Sequence, residues 1–378
     1  MRYCRTMTAP LMRSLRIHGP LDMRMEQVPV PELAADQVLV RVAAVGICAT
    51  DIELYDGRMP YIRQGLTTLP LTPGHEWSGI VEAVGSGGAG FGAPGSGAAG
   101  SGAAGLKPGD RVVGDISLGC GRCVSCLRGE YHLCRQRTEL GVIGESGAFA
   151  EYVRTRARHT YAIPPSISLE EAALSEPAAT CLNALRRTGV RPGDRAAVFG
   201  DGVIGFLTAQ MCRCLGASRV VLIAPSVEHA RTARELDIPL LDSSAADIAR
   251  EVTRVLEGPP ELVSECSGNP AALNDAIHLT APGGRINVLS ITGAPSVAAD
   301  IDYVVTRDII MVGSLASPNA FPAALRLMES GAVRVRPLIS KIFSFDDAIE
   351  AFEYVRARKE PRIKVLVSVR SSGKEGTR

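Results

Sequence analysis

An α/β architecture in two units is expected from this chain: a β-rich unit first, then a unit built on a doubly wound parallel sheet. Three observations carry that expectation. The runs "QVLVRVAAVGI" and "GHEWSGIVEAVG" are short, rich in β-forming residues and bounded by Gly and Pro, the pattern of a small barrel or sandwich. From about residue 178, the apolar runs "RAAVFG", "RVVLIA", "ELVSECSG" and "GRINVLS" alternate with the helix-like "FLTAQMCRCLG" and "VEHARTARELD". Such alternation marks a parallel sheet covered on both faces. Finally, 378 residues exceed what one typical core holds.

Taken in order, residues 1–11 are expected to be a disordered leader, because "MRSLRIHGP" from Met12 already has the texture of a first strand. The β-rich unit follows over 12–177. Within it, residues 85–105 read "GSGGAGFGAPGSGAAGSGAAG", in which 10 of 21 are Gly, so this stretch can bury almost nothing. Strand texture resumes in "LKPGDRVVGD", which makes the Gly-rich stretch a loop insertion and not a linker. The parallel-sheet unit is expected over 178–318. Over 319–378, the amphipathic "FPAALRLMESG" and "FDDAIEAFEYVRAR" precede a last strand, "IKVLVSV", and this tail is expected to return to the first unit.

Composition removes several classes of function. The chain is 46% hydrophobic and 21% charged, ordinary values for a globular protein. Its 41 basic and 40 acidic side chains leave a net charge of +1, which offers nothing to a nucleic acid or an anionic membrane surface. No apolar run reaches the roughly 18 residues of a membrane span. The N-terminal "MRYCRTMTAPLMRSLRIHGP" has arginines but no apolar core, so it is not a signal peptide. A cytoplasmic location is therefore expected, and with it ten reduced cysteines.

The stretch "VFGDGVIGFLTAQ" places Gly200, Gly202 and Gly205 as G-x-G-x-x-G, with Val203 and Ile204 between them. Gly-rich turns are common, but this one follows an apolar strand, opens a helix and leads to another strand. There the glycines allow a tight turn and close approach of a pyrophosphate to the helix N-terminus. These five residues are expected to bind a dinucleotide. An acidic residue normally ends the second strand of such a unit and binds the ribose 2′-hydroxyl. Here the position falls on Ala224, which leaves a 2′-phosphate unopposed, with Ser226, His229 and Arg231 as possible donors to it. The cofactor is thus NADP or NAD, with the balance toward NADP.

Cys120, Cys123, Cys126 and Cys134 are spaced C-x2-C-x2-C-x7-C in a single loop. With disulfides set aside, redox chemistry and metal binding compete. A dithiol would leave two cysteines unexplained, whereas four thiolates close a tetrahedral zinc shell with no open position. A structural zinc is expected. A nucleic-acid-binding zinc module is disfavoured, because Arg122, Arg128, Arg135 and Arg137 have little aromatic interleaving. A second group is scattered: Cys48 in "GICATD", His75 and Glu76 in "GHEWSG", and Glu176 in "SEPAAT". Singly, each could be a core thiol, a loop histidine or a helix-entry acid.

The ordered set "GICATD", "PGHEWSG", "GDRVV", the four-cysteine loop, "SEPAAT" and "GDGVIG" resembles the zinc-dependent medium-chain dehydrogenases over about 12–369. Polyol and threonine dehydrogenases are the most similar branches. "DIELYDG" and "PGHEWSG" also resemble the 2-deoxy-scyllo-inosamine dehydrogenases of aminoglycoside antibiotic biosynthesis. The resemblance implies a GroES-like catalytic domain with a Rossmann domain inserted before its C-terminal portion, and a homodimer or homotetramer. It implies that Cys48, His75 and Glu176 hold a catalytic zinc, with Glu76 joining or exchanging. It further implies that zinc acts as a Lewis acid toward the substrate alcohol, that Thr50 carries the proton away, and that hydride passes to the nicotinamide. The histidine that continues the proton relay in some members is replaced by the neighbourhood of Glu53. The insertion at 85–105 also departs from the family.

A zinc-dependent secondary-alcohol dehydrogenase acting on a polyol, cyclitol or aminocyclitol is therefore expected. A threonine-type amino-alcohol dehydrogenase is the enzymatic alternative, and a noncatalytic binding protein that kept the fold is the other. A binding role would need neither zinc ligands nor Thr50. Glu53 and Tyr55 follow Cys48 closely enough that a short helix from Asp51 could aim one of them at the substrate; the other reading of Glu53 is a solvated helix residue.

Overall fold

The computed structural model describes residues 10–86, 105–225, 228–294 and 296–369. The leader expected at 1–11 lies outside these residues except for its last two. Leu11 already pairs with Pro29, so the first strand begins one residue earlier than expected. All but the ends of the Gly-rich insertion (85, 86 and 105) also falls outside them.

The first unit is a mainly antiparallel sheet. Its path runs Thr160–Ala162, Arg111–Gly114, Glu76–Val84, Gln37–Gly46, Lys364–Ser368 and Ile339–Ser344, with Tyr152–Arg156 also paired to Gln37–Gly46. The central strand is Gln37–Gly46, buried along most of its length, as its unbroken "VLV" and "VAAVG" runs require. Leu366, Val367 and Ser368 pair antiparallel with Gly46, Val45 and Ala44.

The second unit is a six-stranded parallel sheet in the order Leu240–Asp242, Arg219–Ala224, Arg195–Phe199, Leu262–Glu265, Arg285–Val288, Ile310–Gly313. Counted in chain order within this unit, the strands lie 3-2-1-4-5-6, the doubly wound arrangement whose ligand crevice opens at the carboxyl ends where the order reverses. That reversal lies between Arg195–Phe199 and Leu262–Glu265.

One helix joins the two units. Ser175–Thr188 packs on strand Glu76–Val84 of the first sheet and on helix Val203–Cys214 of the second unit. The domain boundary expected at 177/178 falls inside it. Its buried Ala178, Ala179, Cys181, Leu182 and Leu185 share one core with Ala44 and Leu366 on one side and Val198 and Phe206 on the other. Among the described residues, no helix is long and apolar enough to cross a membrane.

Candidate active site

The site is assembled around the start of helix Ala49–Tyr55. Cys48 caps this helix, and its backbone N–H donates to Asp51 Oδ2 at 2.8 Å. The other oxygen of Asp51 accepts from the Gly74 N–H at 3.1 Å. A fully buried carboxylate thus draws the loop before His75 onto the helix that carries Cys48. Gly74 has φ +100, and a Cβ there would lie 2.6 Å from the Phe149 ring, so this approach requires glycine. His75 Nδ1 sits 3.7 Å from Asp51 Oδ1, buried and without a hydrogen bond. Burial opposes charging the imidazole, but Asp51 and Cys48 outweigh it and hold the His75 pKa well above its ordinary value.

Glu76, the first residue of its strand, is buried against Lys364, the first residue of the returning strand. Lys364 Nζ donates to its two carboxylate oxygens at 2.6 and 2.8 Å and to Ile47 O at 3.1 Å. The pair is almost completely buried, so removing one partner would strand a charge at a cost of about 3–5 kcal/mol. Gly46 makes room for it, since a Cβ there would lie 2.3 Å from Glu76 Oε2. Sequence reasoning missed both Asp51 and Lys364. The one local signal for Lys364 was a lysine heading an otherwise apolar strand.

Ligand-capable atoms of Cys48, His75 and Glu76 lie within 4.8 Å of one another. Glu176, in the first turn of Ser175–Thr188, is buried but outside this group, with Oε1 accepting from Thr180 Oγ1 at 3.0 Å. Burial pushes its pKa up to about 7, partly offset by His75. A thiol, an imidazole and carboxylates gathered this closely, with the buried Glu176 carboxyl short of compensating charge, form a donor set that fits a zinc ion. The structure brings Glu76 into the compact group, paired with Lys364, and leaves Glu176 beside it.

Thr50 and Glu53 lie three residues apart on the same helix and share a face, both half-buried. Burial raises the Glu53 pKa, Arg58 lowers it and Asp56 raises it. Of Glu53 and Tyr55, one of which was expected to face the substrate, Tyr55 is engaged elsewhere. Two residues beyond Glu53 it points to the other side of the helix, with its hydroxyl donating to Glu353 Oε1 at 2.7 Å. Its ring packs edge-on against Phe352 at 6.1 Å.

The four cysteines of the 120–134 loop also gather within 4.8 Å, with Cys120 and Cys126 sulfurs 4.0 Å apart. Thiolates roughly 2.3 Å from a tetrahedral zinc stand about 3.8 Å from each other, so this shell fits the ion with little adjustment. Backbone N–H groups of Arg122 and Cys123 pull the Cys120 pKa down to about 6, favouring the thiolate that a metal needs.

At the Gly-rich turn, Gly200 has φ +103 and a Cβ on Gly205 would lie 1.8 Å from Gly200 O. Turn and helix therefore close on each other as only glycines allow. Gly202 caps helix Val203–Cys214, with Val203 and Ile204 in its first turn. Ala224 ends its strand, fully buried. Asp242 is its register partner on the next strand, but that carboxylate is engaged by Ser244. His229 Nδ1 bonds Asp201 Oδ2 at 2.7 Å, which ties it to the Gly-rich turn. Arg231 is exposed, and Ser226 lies outside the described residues.

Residues 34–165 match the family described as "Alcohol dehydrogenase GroES-like domain", and residues 203–330 the family described as "Zinc-binding dehydrogenase". Sorbitol dehydrogenase of Homo sapiens is 30% identical over 345 residues, covering 90% of this chain and 91% of the relative. A zinc-binding dehydrogenase of Sinorhizobium meliloti 1021 bound to NADP superposes with a TM-score of 0.83 at 29% identity, covering 95% of this chain and 100% of that one. The 2R,3R-butanediol dehydrogenase of Bacillus subtilis gives 0.81 at 29%, with the same coverages.

Proposed function

Since this chain belongs to the zinc-dependent medium-chain alcohol and polyol dehydrogenases, we propose that it oxidises a secondary alcohol of a polyol or cyclitol using NADP or NAD. The carrying observation is the compact Cys48–His75–Glu76 group, with His75 and Glu76 buried and Cys48 half-buried, at the head of the helix that bears Thr50. When bound, a zinc ion supplies Lewis acidity toward the substrate oxygen and the nicotinamide nucleotide supplies a hydride acceptor. Cys48, His75 and Glu176 would hold the metal, with Asp51 orienting His75 and Lys364 neutralising Glu76. Thr50 takes the proton from the substrate hydroxyl. A polyol is supported by similarity to dehydrogenases named for sorbitol and butanediol, both of which carry neighbouring hydroxyls. The test is a panel of polyols, cyclitols and threonine with each nucleotide on zinc-loaded protein. Turnover of threonine alone favours the amino-alcohol alternative, and no turnover at all sinks the proposal.

A finer reading, an aminocyclitol of the kind used in antibiotic biosynthesis, is supported by Glu53. Its half-buried carboxyl is undercompensated, and a substrate ammonium would supply the missing charge. A charge-assisted hydrogen bond of about 1.5–3 kcal/mol gives roughly 10- to 150-fold discrimination against the hydroxyl analogue. Glu53→Gln is expected to erase that ratio in kcat/KM. An unchanged ratio would show that Glu53 does not read an amine.

We also propose a preference for NADP over NAD, resting on Ala224. Ala224→Asp is expected to shift the ratio of kcat/KM values toward NAD by about tenfold or more, by accepting from the 2′-hydroxyl and repelling a 2′-phosphate. A wild-type protein that strongly prefers NAD would remove the basis for this inference.

A further inference from the structure

Tyr131 lies in the four-cysteine loop, buried, in a network that reaches across the two units. Its hydroxyl donates to Asp115 Oδ2 at 2.6 Å and accepts from the Asn319 backbone N–H at 2.9 Å. The other oxygen of Asp115 accepts from the Ser117 N–H at 3.1 Å and from Ser317 Oγ at 3.3 Å. Asn319 Nδ2 returns to the four-cysteine loop, donating to Gly129 O at 2.9 Å. Asp115 and Ser317 have no exposed surface at all.

Residues 314–319 follow strand Ile310–Gly313 directly, so they leave the parallel sheet at its carboxyl end, the edge at which sheets of this topology bind their nucleotide. Their backbone is not relaxed. Ala316 and Asn319 are both left-handed without being glycine, at φ 55 and 59. Such residues persist where their surroundings over-determine them. The surroundings here are Asn183, whose Nδ2 donates to Ala316 O at 2.9 Å, and the Tyr131–Asp115 pair.

We infer that Tyr131 and Asp115 are positioning residues for the nicotinamide nucleotide: through Ser317 and Asn319 they let the four-cysteine loop hold residues 314–319 in the shape that the nucleotide crevice needs. The inference requires only that a nicotinamide nucleotide binds at the carboxyl ends of the parallel strands, whichever alcohol is oxidised. A binary titration without alcohol therefore tests it independently of the substrate reading.

The experiment measures NADH and NADPH dissociation constants by fluorescence on the zinc-loaded full chain. Tyr131→Phe removes both hydroxyl bonds and leaves the ring and the cysteines in place. Asn319→Gly removes the bond to Gly129 and keeps the left-handed backbone comfortable. Thr67→Val is the control, because Thr67 is a buried hydroxyl of the β-rich unit that donates only to Val142 O, within that unit. Tyr131→Phe is expected to keep its zinc and to weaken binding of the better nucleotide roughly fivefold or more, the lower end of coupling between separate sites. Asn319→Gly should weaken it in the same direction, and Thr67→Val should leave it at wild type. Wild-type affinity in both Tyr131→Phe and Asn319→Gly, or equal weakening in Thr67→Val, would overturn the inference. If Tyr131→Phe does not fold, Asn319→Gly against Thr67→Val decides alone.

Discussion

Replacing His75 or Cys48 by alanine is expected to abolish alcohol oxidation while leaving nucleotide affinity intact. Both side chains belong to the compact group beside helix Ala49–Tyr55, whereas the Gly200–Gly205 turn lies in the other unit, before helix Val203–Cys214. Lewis-acid stabilisation is worth several kcal/mol, and at about 1.4 kcal/mol per factor of ten its loss means a fall in kcat of roughly a hundredfold or more. His75→Ala also leaves the buried Asp51 without its imidazole neighbour, although the Cys48 and Gly74 N–H donors remain. Three measurements check the expectation: kcat on the best polyol, the NAD(P)H dissociation constant, and zinc per chain. One metal should be lost and the other kept. Near-wild-type turnover from a variant that has lost its catalytic zinc would refute the role assigned to this group.

Cys126→Ser is expected to destabilise the fold without touching the chemistry directly. Apart from the anchor at Tyr131 and Gly129, the four-cysteine loop has little regular structure to hold it together. Its regular structure is a four-residue helix, Val124–Leu127, and one 3₁₀ turn, Tyr131–Leu133. Its Val124, Leu127 and Leu133 are exposed and contribute little burial. Metal binding in such a loop is folding energy, and opening the shell forfeits it. A loss of about 3 kcal/mol, set against an unfolding entropy of about 2.1 cal/mol/K per residue, corresponds to a drop in melting temperature of roughly 4 °C. Differential scanning fluorimetry with zinc analysis reads both consequences. Full zinc content at an unchanged melting temperature would remove the structural-metal assignment.

Much of this was legible in the chain because it is local. Strand alternation needs only neighbours, so both sheets could be read from runs such as "VLVRVAAVGI" and "RVVLIA". The Gly200–Gly205 turn and the cysteine spacing are local in the same sense. The last strand, "IKVLVSV", was legible in the same way, whereas its partner strand was not. Pattern alone offered Glu53 and Tyr55 together and could not say which side of a seven-residue helix would face Phe352 and Glu353.

What the sequence determined by itself is the kind of chemistry: a dinucleotide turn, a four-thiolate loop and a scattered set of zinc-capable side chains on an α/β frame. Only the tertiary structure decided which of those side chains meet. Glu76 and Lys364 are 288 residues apart, and their pairing exists because the last strand docks antiparallel on Gln37–Gly46. Asp51 acquires its role because the loop before His75 folds onto it, and Tyr131 reaches Asn319 across 188 positions. A buried charge must find a partner wherever the backbone brings one, and strand docking and register, which no local pattern records, set where that is.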